Sequence, residues 1–329
     1  MEILRKPSLS KSKNYLKISW ITKGKWNQYL DYGTDPNYQG IRMIANSTYL
    51  PHFKDEEYNG VYVHTVIFDD LESDVVYFYK FGGEEFISNI FSFRSPKQRS
   101  AEIKMIMISN LDFDDNSEIL VNEISNLIDK DPYLYDAIVD LGIDSSVSKL
   151  SLANCGGNLT NCPNSINNPS KIATYFDRIS KITTKIPYHG LNRASQLMKE
   201  YLGREEKDNE MYIIQTDTVQ LLFLDSDFIF DKINGDRIKE LEKVALSSSL
   251  EESNGWRILL SDKPFYWSWN DEMWHEYSNT MRDVYEKELI NSHFSMIISG
   301  GGCHYERTYP ISFMNYDQIK NNSQNSNIK

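Results

Sequence analysis

Long apolar runs and an excess of positive charge are both missing from this sequence, and cysteine is scarce. No stretch approaches the roughly 20 apolar residues that a membrane-spanning helix needs, so we expect no membrane span. The 35 basic residues are outnumbered by 47 acidic ones, and the net charge of -12 argues against the basic surface of a nucleic-acid-binding protein. We therefore expect neither nucleic acid nor a membrane as a partner.

The three cysteines, Cys155, Cys162 and Cys303, do not have the spacing of a metal site or of a disulfide framework. Their positions allow a Cys155–Cys162 bridge, but we favour free thiols on grounds of compartment. The first residues, MEILRKPSLSKSK, contain no apolar segment of a secretory signal. These features favour an intracellular location, either in the cytoplasm or in an organelle.

The region before residue 96 has the pattern of a small β-sandwich. In LKISWIT, Leu16, Ile18 and Trp20 alternate with polar residues, which predicts a half-buried strand. The runs VYVHTVIF and VVYFYKF predict two further strands, separated by a polar turn. Leu71 lies six residues before Tyr77, which is the spacing of a tyrosine corner in an immunoglobulin-like sandwich.

After the segment SPKQRS the pattern changes to that of a layered α/β domain. The runs IKMIMIS and DAIVDLG are nearly continuous in apolar residues, as expected of strands covered on both faces. Helical and strand-like segments then alternate along the chain. Helices are predicted at 117–129, 172–182 and 237–252, and further strands within 211–227, 256–264 and 294–302. In the first helix, Leu120, Ile124, Leu127 and Ile128 predict one buried face.

The most informative motif is GGGCHYERTYPI, which runs from Gly300 to Ile311. Purple acid phosphatases carry Gly-His-x-His-x-Tyr-Glu-Arg-Thr-Tyr-Pro at the corresponding point, and both histidines bind metal. The chain resembles this family here in all six residues from Tyr305 to Pro310. The two histidine positions of the motif are occupied by Gly301 and Cys303.

The resemblance covers roughly residues 7–313 and implies a fold as well as a site. It implies an all-β immunoglobulin or fibronectin type III-like sandwich, followed by an α/β metallophosphatase-type domain with four α/β/β/α layers. We accordingly predict a sandwich at 1–95, a linker at 96–100, a metallophosphatase-type domain at 101–315 and a polar tail at 316–329. Five short motifs at strand ends hold the two metal ions of the family, which activate a hydroxide and bind the phosphate.

The first two motifs have lost their metal ligands. The ligand aspartate of Gly-Asp-x-Gly falls on Asn110. In Gly-Asp-x-x-Tyr, the aspartate that bridges the metals falls on Ile143, and the tyrosine ligand falls on Ser146. An alkyl side chain cannot bind a metal, so the change at Ile143 removes the bridge between the two ions.

The remaining motifs are altered as well. The asparagine of Gly-Asn-His-Glu corresponds best to Asn192, while the histidine of Gly-His-Arg-Pro falls on Asp262. The last two ligand positions are Gly301 and Cys303. Among all seven ligand positions, only Asn192 keeps the residue type of the family. Because these ligands are lost, we predict that the binuclear metal centre of the resembling family is absent. We expect no other cofactor.

Two groups of polar residues near these motifs suggest a remaining binding site, and each group also has a simpler interpretation. Asp112, Asp144, Asp262 and His304 would form an oxygen-rich site for a hard cation such as Mg²⁺ or Ca²⁺. Arg193 and Lys263, with Asn192, would instead hold a phosphate-like anion. For both groups we favour polar residues at loop rims or solvated surface charges. The tryptophans of FYWSWNDEMWHEY are interpreted as filling of a core or cleft.

We therefore expect a pseudoenzyme of the purple acid phosphatase family that acts as a structural or interaction subunit, with other protein subunits as partners. The alternative is a phosphoesterase with a remodelled metal site. A third hypothesis is a module that binds phosphorylated ligands without hydrolysing them.

Overall fold

The computed structural model describes most of both predicted domains. The described residues are 2–11, 15–24, 26–37, 40–50, 61–84, 86–97, 102–109, 111, 115–142, 169–190, 201–202, 212–215, 219–224, 255–268, 272–300 and 307–308. The predicted helix at 237–252, the predicted tail and the three cysteines lie outside them.

The N-terminal region forms two four-stranded antiparallel sheets. The first sheet has the strand order β1-β2-β6-β5, with β1 at Glu2–Lys11, β2 at Leu16–Lys23, β6 at Val61–Phe68 and β5 at Asn46–Leu50. The second has the order β4-β3-β7-β8, with β4 at Ile41–Ile44, β3 at Tyr29–Gly33, β7 at Val76–Gly82 and β8 at Phe91–Arg94. This order is that of an immunoglobulin-like sandwich whose second sheet has one additional edge strand.

An aromatic core lies between these two sheets. Trp20 on β2 lies with its ring centroid 5.0 Å from that of Phe81 on β7, and both side chains are buried. Phe93 on β8 stacks on Tyr77 with centroids 5.7 Å apart. Inward-facing residues of both sheets therefore share one cluster, and the predicted sandwich is confirmed.

The tyrosine corner predicted from the spacing of Leu71 and Tyr77 is also confirmed. The backbone N–H of Glu72 donates a hydrogen bond of 3.1 Å to the Tyr77 hydroxyl. The bond fixes the connection where the chain passes from β6 in one sheet to β7 in the other. Leu71 packs against the edge of the aromatic core, as the motif requires.

Strand β2 is more buried than predicted. Lys17 and Ser19, expected to face solvent, are both buried. They lie on the same face as Ile21, which packs with Val61 and Val63 in a cluster that also includes helical residues of the second domain. The second domain therefore covers the outer face of the first sheet. The alternation of polar and apolar residues within one strand does not reveal such a contact.

The second domain contains two more sheets. A parallel sheet has the order β11-β10-β9, with β11 at Tyr188–Gly190, β10 at Ala137–Asp140 and β9 at Met105–Ile108. A mixed sheet has the order β12-β13-β14-β15, with β12 at Tyr212–Gln215, β13 at Val219–Leu224, β14 at Trp256–Ser261 and β15 at Met296–Ser299. Only the β12–β13 pair is antiparallel. The described helices are α1 at Asp115–Lys130, α2 at Pro169–Thr183 and α3 at Glu272–Asn291.

The strands of the second domain send alternate side chains to different clusters, because successive residues of a strand point to opposite faces. Ile138 on β10 packs with residues of α1 and α2, whereas its neighbour Val139 packs with residues of the mixed sheet. On β13, Leu222 packs with residues of α3, whereas Phe223 packs in the same cluster as Val139. Each sheet thus has helical residues on one face and the other sheet on its second face.

The predicted buried face of α1 was partly wrong. Leu120 and Leu127 are both 42% exposed, whereas Val121, Ile124 and Ile128 are buried. The spacing of three and four residues from Val121 to Ile128 also satisfies the helical period. The helix is rotated so that a narrower stripe faces the sheet.

None of the described helices combines the length and the apolar character needed to cross a membrane.

Replacing Tyr77 with Phe is expected to lower the free energy of unfolding by about 1 kcal/mol, because the Glu72 amide loses its acceptor at the corner. Denaturation by urea, followed by circular dichroism, measures the change. Tyr49→Phe is the matched control, since the Tyr49 side chain is about half exposed and water can solvate its hydroxyl. Equal losses in the two variants would contradict a special role for the corner.

Candidate functional site

The carboxyl ends of the parallel strands in both sheets meet at one edge of the second domain. The backbone N–H of Gly300, which follows β15, donates a 2.7 Å hydrogen bond to the carbonyl of Ser261 at the end of β14. A Cβ atom on Gly300 would lie 2.7 Å from the Ser109 Oγ and 2.8 Å from the Leu141 carbonyl oxygen. Ser109 follows β9 and Leu141 follows β10. The close approach of the two sheets therefore leaves no room for a side chain on Gly300.

This edge is the point from which the predicted motif loops depart. In the sequence, Asn110 directly follows Ser109, Ile143 directly follows Gly142, and Gly301 directly follows Gly300. The predicted site residues outside the described part of the chain are Asn110, Asp112, Ile143, Asp144, Ser146, Asn192, Arg193, Gly301, Cys303 and His304. Asp262 and Lys263 are the two that the structure describes.

Asp262 and Lys263 are buried, contrary to the expectation of rim residues and solvated charges. Asp262 is 8% exposed and Lys263 is 1% exposed. The turn is fixed by Ser261, whose hydroxyl donates to the Lys263 carbonyl at 2.9 Å and accepts from the Lys263 N–H at 3.3 Å. The strand thus ends inside the domain, beneath α3, and not at its surface.

An aromatic pair lies beside Lys263. Its Nζ lies 5.7 Å from the centroid of the buried Trp274 ring, within the range of a cation–π contact. Trp274 in turn lies 5.3 Å from Trp267, measured between ring centroids. The interpretation of these two tryptophans as core or cleft filling is therefore confirmed. Trp269 lies outside the described residues.

A second buried polar group precedes the Ile143 position. Asp140, the last residue of β10, is fully buried, and its Oδ1 accepts a 2.9 Å hydrogen bond from the Gly142 N–H. Its Oδ2 contacts the Tyr175 hydroxyl at 2.8 Å and the Tyr188 hydroxyl at a still shorter distance. The two tyrosine hydroxyls are themselves 2.6 Å apart. Gly142 has φ = 104°, a backbone conformation that favours glycine.

The Asp140 Oδ2 and the two tyrosine hydroxyl oxygens form three mutual contacts, and each contact needs one proton to be a hydrogen bond. With an ionised Asp140, the hydroxyl protons of Tyr175 and Tyr188 fill only two of the three contacts. A proton on Asp140 completes the ring of three hydrogen bonds. Desolvation by burial raises the pKa of the Asp140 carboxyl above its ordinary value of 3.8, and the hydrogen bonds from Tyr188, Tyr175 and Gly142 oppose that rise only in part. A proton on Asp140 thus satisfies all three contacts, and burial shifts the pKa of this carboxyl in the direction that retains the proton to higher pH.

The sequence contains one signal for this network. Asp140 is a carboxylate within the otherwise apolar run AIVDL, and a charge in a doubly covered strand needs buried partners. The tyrosine partners come from α2 and β11, so they could not be identified before the topology was known.

Within the described part of the chain, no group of three or more His, Cys, Asp or Glu side chains is placed to hold a metal ion. Asp262 is the one metal-ligand position of the family that these residues include. Its carboxylate is a chemically suitable oxygen donor for a hard cation.

Comparison with known proteins agrees with the resemblance drawn from the motifs. Residues 6–95 match the family model described as "Purple acid Phosphatase, N-terminal domain". The N-terminal region of the chain is therefore purple acid phosphatase-like. The solved structure titled "Structure of PhoD" superimposes with a TM-score of 0.57 over 90% of this chain and 70% of that chain, at 10% sequence identity. At this identity the likeness shows a shared fold. No curated protein sequence matches the chain.

In this purple acid phosphatase-like chain, Gly300→Ala is expected to destabilise the fold by about 1–3 kcal/mol, because the new methyl group overlaps Ser109 and Leu141. Thermal unfolding and urea denaturation measure the loss. Ser299→Ala, which adds no atom at the neighbouring position, serves as the control. An unchanged stability for Gly300→Ala would show that the two sheet edges do not meet as described.

Asp140 predicts an unusual dependence of stability on pH. Because its pKa is higher in the folded state, its stabilising contribution is complete below the unfolded value of 3.8 and is lost as pH rises through the folded value. The stability of the wild type relative to Asp140→Asn should therefore increase as pH falls from neutral towards 4. Urea denaturation of both proteins across this range tests the sign. A relative stability that decreases towards low pH would contradict a protonated Asp140.

Proposed function

We propose that this chain has kept the purple acid phosphatase-like fold, has lost the di-metal chemistry and acts as a structural or interaction subunit of a larger assembly. The observation that carries the proposal is Ile143 at the position of the bridging carboxylate. Two cations a few ångströms apart repel one another, and the bridging carboxylate offsets that repulsion. An isoleucine offers neither a charge nor a lone pair.

The described end of β14 supports the same proposal. The Gly-His-Arg-Pro motif of the family supplies a neutral imidazole here, and this chain has Asp262 followed by Lys263. The lysine side chain is 1% exposed, so its ammonium group lies within the domain at the edge where the metal loops begin. The arginine of the family motif also places a cation at this position, so the change of chemistry at this strand end is the loss of the metal-binding imidazole, which Asp262 replaces with a carboxylate.

We also propose that the second domain has the four-layer α/β/β/α order of the metallophosphatases. The support is the division of side chains among three clusters. One joins α1 and α2 to the parallel sheet, one joins the two sheets, and one joins the mixed sheet to α3. The boundaries proposed for this domain remain 101–315, with the linker at 96–100 before it.

One observation favours the alternative of a phosphoesterase with a remodelled metal site. Asp262 is a buried carboxylate at the edge where the family places a metal-binding histidine. Carboxylate oxygens are the ligands of Mg²⁺ and Ca²⁺, so a different metal would suit it better than the original pair. The two proposals differ in whether phosphoester hydrolysis depends on Asp262.

Hydrolysis of p-nitrophenyl phosphate distinguishes these two proposals. We expect the purified full chain to show only background turnover with added Mg²⁺, Mn²⁺, Zn²⁺ or Fe²⁺, because the bridging ligand is missing. A chelator and the Asp262→Asn variant should both leave this background unchanged. Turnover that is abolished by the chelator and lowered by Asp262→Asn would overturn the proposal in favour of the remodelled enzyme.

Exposed apolar side chains on the sandwich support the role in an assembly. Ile44 and Ile41 on the edge strand β4 are 86% and 54% exposed, and Ile87 and Ile90 before β8 are each 51% exposed. Edge strands with exposed apolar side chains are prone to pair with another chain unless they are covered. A partner subunit on this side of the sandwich would cover them.

Native mass measurement of the chain isolated from its own cells tests this role. We expect it in a complex larger than the 38.4 kDa of the single chain. Ile44→Glu should reduce the recovery of that complex, because it places a charge in the proposed contact. Ile119→Glu is the matched control, since Ile119 is similarly exposed but lies on α1 of the other domain. A stable monomer without co-purifying subunits would contradict the role.

A further inference from the structure

A cavity opens at the end of the second domain opposite to the motif loops. Met105, Ala137 and Val219 line it, and each is the first residue of its strand. The strand β9 separates Met105 from Ser109 at the other edge by about 13 Å, at roughly 3.3 Å per residue. The segment Arg94–Lys97, which begins at the last residue of β8, also lines the cavity.

The inner wall of the cavity is apolar. Met105, Val219 and Leu221 line it and also pack at the rim of the cluster that joins the two sheets. Ile103 and Pro187 extend the same wall. An occupant therefore needs an apolar chain or ring that continues the packing between the sheets.

Cationic side chains also line the cavity. Among the described residues of its lining, Arg94, Lys97 and Lys185 are cationic and Asp136 is the one carboxylate. The chain as a whole carries a net charge of -12, so an excess of positive charge at one cavity is a local exception. Such a local field concentrates anionic small molecules.

The ion pairs of these cations divide them into two classes. Lys97 pairs with Asp136 at 3.0 Å, and Asp136 is held in place by a 2.9 Å hydrogen bond from the Lys104 N–H. Lys97 is therefore neutralised within the cavity wall itself.

Arg94 and Lys185 differ from Lys97, because their partners Asp74 and Asp129 are not part of the lining. These carboxylates are 47% and 57% exposed. Arg94 also donates a 2.8 Å hydrogen bond to the Tyr133 carbonyl, and Lys185 donates a 3.3 Å hydrogen bond to the Ser125 hydroxyl. Exposed ion pairs contribute little and are screened by solvent, so an anion in the cavity has only weak partners to compete with for the two cations.

We propose that this cavity binds a small organic anion that has an apolar or aromatic body and a carboxylate or phosphate headgroup. Arg94 and Lys185 contact the headgroup, and Met105, Val219 and Leu221 contact the body. The proposal is independent of the fate of the metal site, because the cavity lies at the opposite edge of the sheets.

Isothermal titration calorimetry of the full chain with four probes tests the proposal. Phenyl phosphate and octanoate carry both features, whereas inorganic phosphate lacks the body and benzyl alcohol lacks the charge. We expect one molecule of phenyl phosphate or octanoate to bind per chain. Binding of neither, or equal binding of inorganic phosphate or benzyl alcohol, would overturn the proposal.

Variants place the binding at this cavity. Arg94→Gln and Lys185→Gln should each weaken binding about tenfold or more, which is the loss expected for one charge-assisted hydrogen bond. Lys181→Gln is the matched control, because Lys181 lies about one helical turn earlier and pairs with Glu118 and Asn122 outside the cavity. Its binding should be unchanged.

A filling variant tests the apolar wall. Ala137→Leu should abolish binding, with the far-ultraviolet circular dichroism of the unliganded protein as the check that it folds. Binding that survives Arg94→Gln and Lys185→Gln, or that falls equally in Lys181→Gln, would place the ligand elsewhere and overturn the proposal whatever the behaviour of Ala137→Leu.

Discussion

The face-to-face packing of the two sheets in the second domain determines where all the described site residues lie. Val139 and Leu141 from one sheet pack with Leu221, Phe223 and Leu260 from the other. Because β9, β10 and β11 run parallel in one sheet and β13, β14 and β15 run parallel in the other, the carboxyl ends of these strands reach one common edge. The apolar contact that creates this edge contains no metal-ligand position. The packing of the two sheets therefore does not depend on the residues at the metal-ligand positions.

Two buried polar arrangements now organise that edge from within. Asp140, with the hydroxyls of Tyr175 and Tyr188, ties the end of β10 to α2 and to β11. Lys263 lies against Trp274 and so joins the end of β14 to α3. Buried polar groups are tolerated only when they are well paired, so each arrangement restricts the positions that its strand end can adopt. Both lie at strand ends that, in the resembling family, lead to metal ligands.

Sequence patterns predicted the parts of the fold that depend on local periodicity. The runs that became β9, β10 and β13 are nearly continuous in apolar residues because both of their faces are covered. Helix α3 was missed, since its buried residues Trp274, Met281 and Tyr285 are separated by polar residues and the tryptophans suggested only a cluster. The burial of Lys263 and of Lys17 could not be predicted either. Each lysine is covered by an element that is distant in the sequence, and the pattern of neighbouring residues does not indicate that contact.

The central claim is that the fold has been retained and the metal pair lost. Inductively coupled plasma mass spectrometry of the chain purified from its own cells, without added metal or chelator, tests it most directly. We predict Fe, Zn and Mn well below one ion per chain, because the bridging carboxylate position is Ile143. A content near two ions per chain, as a binuclear centre requires, would contradict the account.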